Sequence, residues 1–477
     1  MADDRPNILL ITTDQHRGDH LGLAGHPVLD TPEVDSWVQQ GAYFPNAYSE
    51  IPSTTGARRV LHSGKGSHDC GLIGYSALEW MEPNTLAAVL AEAGYHCINV
   101  GWRNMHPRRK LYGFHTVIPH DLRWEADDYW QWLVRQAGPT AHERGHGGDA
   151  NGWVARPWHL EERLHPTVWT TDVSLEQLAK RDPTRPVFLW CSHMRPHSPY
   201  DPPRCFWDMY IERDLPEAPV GDWVRAEDVP PGPPERTAWR ARLRPDQLQR
   251  MRAGYLGTVT HIDSEISRML QSLGRYGGLG DNTLLLFAAD HGDMLGDHHF
   301  LRKSYAYEGS ARIPLLLRYP KGMDVPAGTF EHVAGLQDVM PTILDAAGVE
   351  APDGMTGRSL LSAARGESWR GYLHGEHSPC YSLNTAMQYL TDGRQKYVWL
   401  PALGVEQLFD LTKDREELHD LAGDPAHAQN LATWRRRLVE ILSARGDGFT
   451  DGDKLVKRET RYPAAVEGHP SNPTERD

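Results

Sequence analysis

The sequence predicts an α/β protein, with a large, mainly parallel sheet flanked by helices and a smaller C-terminal α+β lobe. Three observations predict it. Apolar runs at 7–13, 187–191 and 283–289 lack polar alternation, as expected of strands buried on both faces. Helical stretches alternate with these runs, some ending in a glycine that leads into the next strand. The 477 residues exceed one typical domain, which favours a large unit plus a small one. The expected division is 1–375 for the α/β domain and 376–477 for the lobe with its tail.

The first strand, 7–13, ends in Thr12-Thr13-Asp14, and open α/β sheets bind ligands beyond the carboxyl ends of their strands. Asp30-Thr31-Pro32-Glu33 opens a helix, with proline in the first turn and acid at the positive end. That helix runs to Gln40 and stops at Gly41. A helix at 85–93 stops at Gly94, and a strand at 95–100 follows. A helix at 173–180, a strand at 187–191, a long helix at 246–275 and a strand at 283–289 continue the alternation. Two insertions interrupt it. Residues 107–165 are rich in Trp, His and Arg, and 201–245 carry Pro230-Pro231-Gly232-Pro233-Pro234. Long insertions are commonly functional loops, and these are expected to shape the mouth of a site. Beyond 375 come short strands at 386–390 and 396–400, a run at 406–411, a helix near 427–444, and an irregular polar tail from Gly446.

A net charge of −14 argues against a nucleic-acid groove but leaves room for a small anion in a local basic pocket. No apolar run of about twenty residues could span a bilayer. The start lacks the basic and apolar regions of a secretion signal. Five scattered cysteines fit reduced thiols better than a disulfide framework, and zinc-type CxxC pairs are absent. A cytoplasmic enzyme is the expectation.

Three segments carry candidate chemistry. Asp14-Gln15 follows the first strand, and Asp290-His291-Gly292-Asp293 follows the strand at 283–289. Two strand-end carboxylates with an amide oxygen and an imidazole suit a divalent cation that takes mainly oxygen ligands. Each motif alone is more often a helix cap. Between them, Pro52-Ser53-Thr54-Thr55-Gly56-Ala57-Arg58 leads into a helix, presenting hydroxyls and aiming N–H groups at an anion; a plain helix cap is the alternative.

With Arg195-Pro196-His197-Ser198-Pro199-Tyr200, the 281–320 segment and the 406–422 segment, these motifs resemble, in order, the sulfatase-type branch of the alkaline phosphatase superfamily. The resemblance implies that fold, and a single divalent ion (Mn²⁺, Ca²⁺, Mg²⁺ or Zn²⁺) on Asp14, Gln15, Asp290 and His291. No second set of metal ligands is evident. It also implies an anion-binding Arg58, with His197 and Lys303 as cation donors near the anion and leaving group. Arg312 fits the pattern in a structural role. Gln15 with His291 resembles phosphonate monoester hydrolases more than typical sulfatases. Relatives of this kind are often homodimers or homotetramers, which is the expected state here.

Two departures bear on function. Sulfatases carry a Cys or Ser, matured to formylglycine, in a C/S-x-P-x-R motif; four residues before Arg58 stands Thr54, and the proline position is Gly56. Formylglycine is therefore not expected, and Thr54 takes the nucleophile's place. After Gly101, where sulfatases place Lys-x-His, stand Trp102 and Asn104, with Arg103 and His106 as alternative donors; Asn104 is carried as a catalytic candidate. A threonine sulfate has no hydrated-aldehyde hydroxyl to expel the sulfate, whereas water can open a phosphothreonine. That argument places a phosphodiester or phosphonate monoester hydrolase with a Thr54 nucleophile first. A sulfate ester hydrolase with an unmodified alcohol is the alternative, and a catalytically silent metal- and anion-binding protein a third. The substrate is in each case a small anionic ester, with no nucleic-acid or membrane partner. Most of Trp124, Trp130, Trp132, Trp153 and Trp158 are expected to pack in loops or core, with an aromatic wall as the functional alternative.

Overall fold

The computed structural model describes residues 4–276 and 279–473. Its strands are β1 (Asn7–Asp14), β2 (Gly41–Tyr43), β3 (Ala47–Tyr48), β4 (His96–Trp102), β5 (Thr116–His120), β6 (Val187–Pro196) and β7 (Thr283–Ala289). They continue with β8 (Leu315–Arg318), β9 (Gly328–Thr329), β10 (Ala334–Gly335), β11 (Leu373–His377), β12 (Met387–Thr391), β13 (Gln395–Leu400) and β14 (Val405–Asp410). The main sheet runs β5-β4-β6-β1-β7-β8-β2-β9. β1 is central and parallel to both β6 and β7, and β4 and β5 extend that half in parallel. Only β8 opposes its neighbours β7 and β2. β3 and β10 form a separate short parallel pair.

Side-chain alternation explains why the strands read as unbroken apolar runs. Ile8, Leu10, Leu284 and Leu286 enter one core; Leu9, Ile11, Leu285 and Phe287 enter the other. Helices Thr54–Ser63, Leu86–Glu92 and Val339–Ala347 cover the first face, and Pro166–Ala179 and Pro245–Leu273 the second. Each fully buried Leu or Ile contributes roughly 2 kcal/mol of transfer free energy, so this central sandwich is the rigid base beneath the strand ends.

The C-terminal sheet is antiparallel, in the order β11-β12-β13-β14. One face packs Tyr397, Trp399 and Leu408 against Trp434 and Leu438 of helix Ala428–Ser443. The other meets the large domain through Tyr389, Val398 and Phe409 against Tyr48 and Tyr307. Lys396, fully buried, donates to Glu308 (2.6 Å) and Glu417 (2.9 Å) and pins this join with charge.

Several boundaries differ from the expectation. The lobe's sheet opens at Leu373, slightly before 376. β6 extends to Pro196, buried along its whole length, and the helix before it begins at Pro166, its first six residues buried. The first helix is a single turn, Pro32–Asp35, continued as 3-10 helix over Ser36–Gln40. The insertion at 107–165 is ordered: it supplies β5 and helix Asp128–Ala137, around a core of Tyr129, Leu133, Trp158 and Trp169. Its tryptophans mostly pack, and the Trp153 indole donates to the Glu235 carbonyl (2.7 Å), joining the two insertions. All five cysteines are unpaired. No helix among the described residues is long and apolar enough to cross a membrane.

Candidate active site

The sheet's register brings the motifs together. Thr13 pairs with Ala289 across β1 and β7, so the next residues, Asp14 and Asp290, stand side by side. On the other flank Asp14 pairs with Pro196, one residue before His197. Gly101 pairs with Ser192, which sets Trp102 at the very end of β4. Gly101 has φ 98°, and a Cβ there would lie 2.1 Å from the Ser192 carbonyl oxygen, so this approach requires glycine.

Thr54 opens helix Thr54–Ser63, every residue of which is buried. Its hydroxyl lies 3.2 Å from Asp14 Oδ2 and 3.2 Å from His291 Nε2. His291 Nδ1–H donates to the Gly292 carbonyl (2.9 Å), which leaves Nε2 bare. Burial pushes the His291 pKa down to about 3, keeping the ring neutral. At Gly56 a Cβ would meet Ile51 at 2.6 Å, so the backbone here is fitted to glycine where sulfatases have proline.

Arg58 donates to Ser192 Oγ (2.9 Å) and stands 3.3 Å from Asp290 Oδ2 and 3.8 Å from Asp14 Oδ2. Its Nε and one terminal nitrogen are buried without a hydrogen bond, as expected of a guanidinium kept for an anion. Lys303 spends its three N–H bonds on Gln15 Oε1 (2.9 Å), His197 Nε2 (2.7 Å) and Asn151 Oδ1 (3.2 Å). The His197 Nδ1–H donates to the Ser198 carbonyl (2.8 Å), so Nε2 is the acceptor. Burial, and then the Lys303 ammonium, push its pKa down to about 3.

Asp14, Asp290 and His291 are the metal-capable cluster among the described residues. Three features fit a divalent cation. Asp14 Oδ1 and Asp290 Oδ2 are buried without a hydrogen bond. The bare His291 Nε2 faces both carboxylates, at 3.5 and 3.7 Å, with no proton between. Burial and the neighbouring charge of Asp14 drive the Asp290 pKa well up, against Arg58. Burial also opposes ionisation of Asp14, but the positive charge around it, Lys303 and Arg58 included, outweighs burial and its pKa falls. Two adjacent buried carboxylates of this kind are relieved by a cation. Gln15, held at φ 69°, stands beside the cluster, its amide oxygen engaged by Lys303 and its amide nitrogen by Asp293.

Asn104 lies two residues beyond β4, at φ 47°, nearly buried, with no side-chain partner among the described residues. Arg103 and His106 do not enter the site: Arg103 donates to the Lys110 carbonyl and lies over the Tyr112 ring, and the His106 carbonyl accepts from Trp80 N–H. Arg312 donates to the Pro45 carbonyl (2.8 Å), the structural role expected of it.

Sequence reasoning missed three contributors. Trp102, read only as a lost lysine, donates its indole N–H to Asp14 Oδ2 at 2.5 Å. Asn151 reaches Lys303 from inside the tryptophan-rich insertion. His377 Nε2 lies 2.9 Å from Ser53 Oγ, beside Thr54. The position of Trp102 after Gly101 was a usable signal; the other two are long-range contacts with no local pattern.

The sulfatase family profile matches residues 6–349, and that of the N-sulphoglucosamine sulphohydrolase C-terminal region matches 296–444. An arylsulfatase of Clostridium perfringens (strain 13 / Type A) is 39% identical, over 98% of this chain and 99% of that protein. The multifunctional alkaline phosphatase superfamily protein PehA of Trinickia caryophylli is 28% identical, over 90% of this chain and 95% of its own length. The crystal structure of the phosphonate monoester hydrolase of Agrobacterium radiobacter superposes with a TM-score of 0.76 at 23% identity, covering 95% of this chain and 100% of that one. The chain belongs to the sulfatase family of the alkaline phosphatase superfamily, and it is a hydrolase of that family.

Proposed function

We propose that the protein hydrolyses sulfate esters, with Thr54 as an unmodified alcohol nucleophile. The observation that carries the chemistry is the Thr54 hydroxyl, 3.2 Å from both Asp14 and His291 at the metal-capable cluster. The near full-length similarity to an arylsulfatase supports sulfur over phosphorus and reverses the order that the threonine chemistry alone gave. Asp14, Asp290 and His291 would hold a divalent cation, with Gln15 as a fourth donor once its amide oxygen turns from Lys303. Such a cation supplies positive charge for ester oxygens and lowers the pKa of a nearby alcohol.

The chain's own groups do the rest. Arg58 grips the non-reacting oxygens, and Asn104 offers an amide to them. Thr54 Oγ1 attacks sulfur in line as its proton passes to Asp14 Oδ2, 3.2 Å away, and the bond to the leaving oxygen breaks as Lys303 gives that oxygen a proton. Water then enters from the side the leaving group vacated. His197 Nε2, released as an acceptor once Lys303 has given up its proton, takes the water's proton as the threonine–sulfur bond breaks. Asp14 returns its proton to Thr54 Oγ1, and His197 passes its own to Lys303, 2.7 Å away. This route needs no aldehyde hydrate.

A second reading, phosphonate monoester or phosphodiester hydrolysis, is favoured by Trp102. A neutral indole stands where a lysine would add charge, and an ester with one negative charge at the reacting group needs fewer cations than a doubly charged one. Aryl sulfate, phosphonate, phosphodiester and phosphate esters with one common leaving group, assayed with defined metals, decide the matter. The sulfate should give the highest kcat/KM. A phosphonate or diester preferred by tenfold or more would overturn the sulfatase reading in favour of the second.

A further inference from the structure

We propose that a cavity beside the nucleophile holds the leaving group of the ester and selects an aromatic ring bearing a second negative charge, read by Arg461. The cavity has a volume of about 550 Å³ and is lined by Tyr75, His377, Ser378, Cys380, Arg461 and Tyr462, among others. It is of the size that accepts small organic ligands.

His377 is the wall shared with the reacting centre. It lines the cavity, and its Nε2 lies 2.9 Å from the hydroxyl of Ser53, the residue before Thr54. Ser53 heads helix Thr54–Ser63 but makes no side-chain cap, so its hydroxyl is spent on this link. Three distant segments close the rim. Ser378 N–H donates to the Ile73 carbonyl (2.5 Å), and Ile73 N–H to the Ala464 carbonyl (2.7 Å). At Gly74 a Cβ would lie 2.2 Å from Ser378 Oγ, so the strand of chain carrying Tyr75 is pressed against the lobe.

The charge of the lining gives the ligand class. The protein carries a net charge of −14, yet no carboxylate lines this cavity. Arg461 is fixed by donating to the carbonyls of Pro379 (3.1 Å) and Cys380 (3.0 Å). Among the described residues no acid pairs with it. A planar guanidinium held in place, with donors to spare, matches a carboxylate or sulfate. Tyr75, 50% exposed, offers a ring face for stacking.

The turnover arm of the test rests on the sulfatase reading, and the binding arm does not. Hydrolysis of 4-carboxyphenyl sulfate is compared with that of its neutral carboxamide, 4-carbamoylphenyl sulfate. The wild type should favour the carboxylate by about tenfold in kcat/KM, the usual worth of a charge-assisted hydrogen bond. Arg461→Ala should bring the kcat/KM of the carboxylate down to that of the carboxamide, and Arg461→Lys should keep part of the difference. Calorimetry with 4-hydroxybenzoate, the freed leaving group, reads the cavity without turnover, and Arg461→Ala should weaken it by a similar factor. If both sulfates turn over but Arg461→Ala leaves their ratio unchanged, the cavity assignment is overturned and the sulfatase reading stands. If neither is hydrolysed yet 4-hydroxybenzoate binding depends on Arg461, the assignment is supported and the sulfatase reading fails. Binding of 4-hydroxybenzoate that is absent, or indifferent to Arg461, overturns the assignment.

Discussion

Asp14, Thr54 and Asp290 enter the site from the ends of regular elements buried in the central sandwich, each at most one residue from a strand or helix terminus. Asn151 and His377 reach the centre from an insertion and a separate lobe, tied to it by hydrogen bonds across long sequence separations, and Arg461 of the tail, in the cavity proposed for the leaving group, is held by the Pro379 carbonyl. The first group is positioned by the sheet, so its geometry follows from register. The second is positioned by packing between units, so it is free to differ while the chemistry is kept. The contrast predicts that damage to the strand-end group abolishes reaction, whereas damage to the wall alters rate or preference.

The largest effect should come from Asp290→Ala. It removes one of two adjacent carboxylates, and metal analysis should show the ion lost together with turnover. Full occupancy with wild-type turnover would remove Asp290 from the metal site. Thr54→Ala should come next, falling close to background. Thr54→Ser should keep partial activity, because the alcohol remains and only the methyl that fixes its rotamer is lost.

Lys303→Ala should cost about a hundredfold in rate, the usual loss for a donor that meets charge in the transition state. Its melting temperature should hold, since the Lys303 ammonium hydrogen-bonds, among the described residues, only to Gln15, Asn151 and His197; a large drop would make it a fold residue. Asn151→Ala, on the wall side, removes one of three acceptors from the same ammonium. A few-fold fall in kcat/KM is expected, about 1 kcal/mol for one hydrogen bond. If Asn151→Ala matched Lys303→Ala, the wall would belong to the catalytic centre and the contrast would collapse.

Much of the centre was legible in the sequence for the same physical reason that it is rigid. A strand buried on both faces writes an unbroken apolar run, and the residue after it is where a parallel sheet presents ligands. Asp14, Asp290 and His291 stand out in this way as strand-end residues. Arg58, and Thr54 four residues before it, come instead from the resemblance to the sulfatase motif, the helix start alone showing only a cluster of hydroxyls. The lobe's edge was read slightly late, because β11 (Leu-His-Gly-Glu-His) has almost no apolar signal; its polar side chains are buried in pairings such as Gln388 Nε2 with Glu376 (2.9 Å). β5 and helix Asp128–Ala137 were missed inside an insertion whose histidines and arginines hid a small aromatic core. Trp102 was seen only as an absence, though its indole holds Asp14. Asn151 and His377 leave no local mark, because a contact between distant segments is written in the fold and not in any one stretch.

The most direct test of the central claim is acid quench of the enzyme during turnover of an aryl sulfate, followed by mass spectrometry of the peptide containing Thr54. The account predicts an unmodified threonine at rest, with neither aldehyde nor hydrate, and a sulfo increment on Thr54 in the quenched sample that is absent from Thr54→Ala. A Thr54→Ala enzyme that turns over at the wild-type rate, with no increment on that peptide in either protein, would mean that water attacks the ester directly and would contradict it.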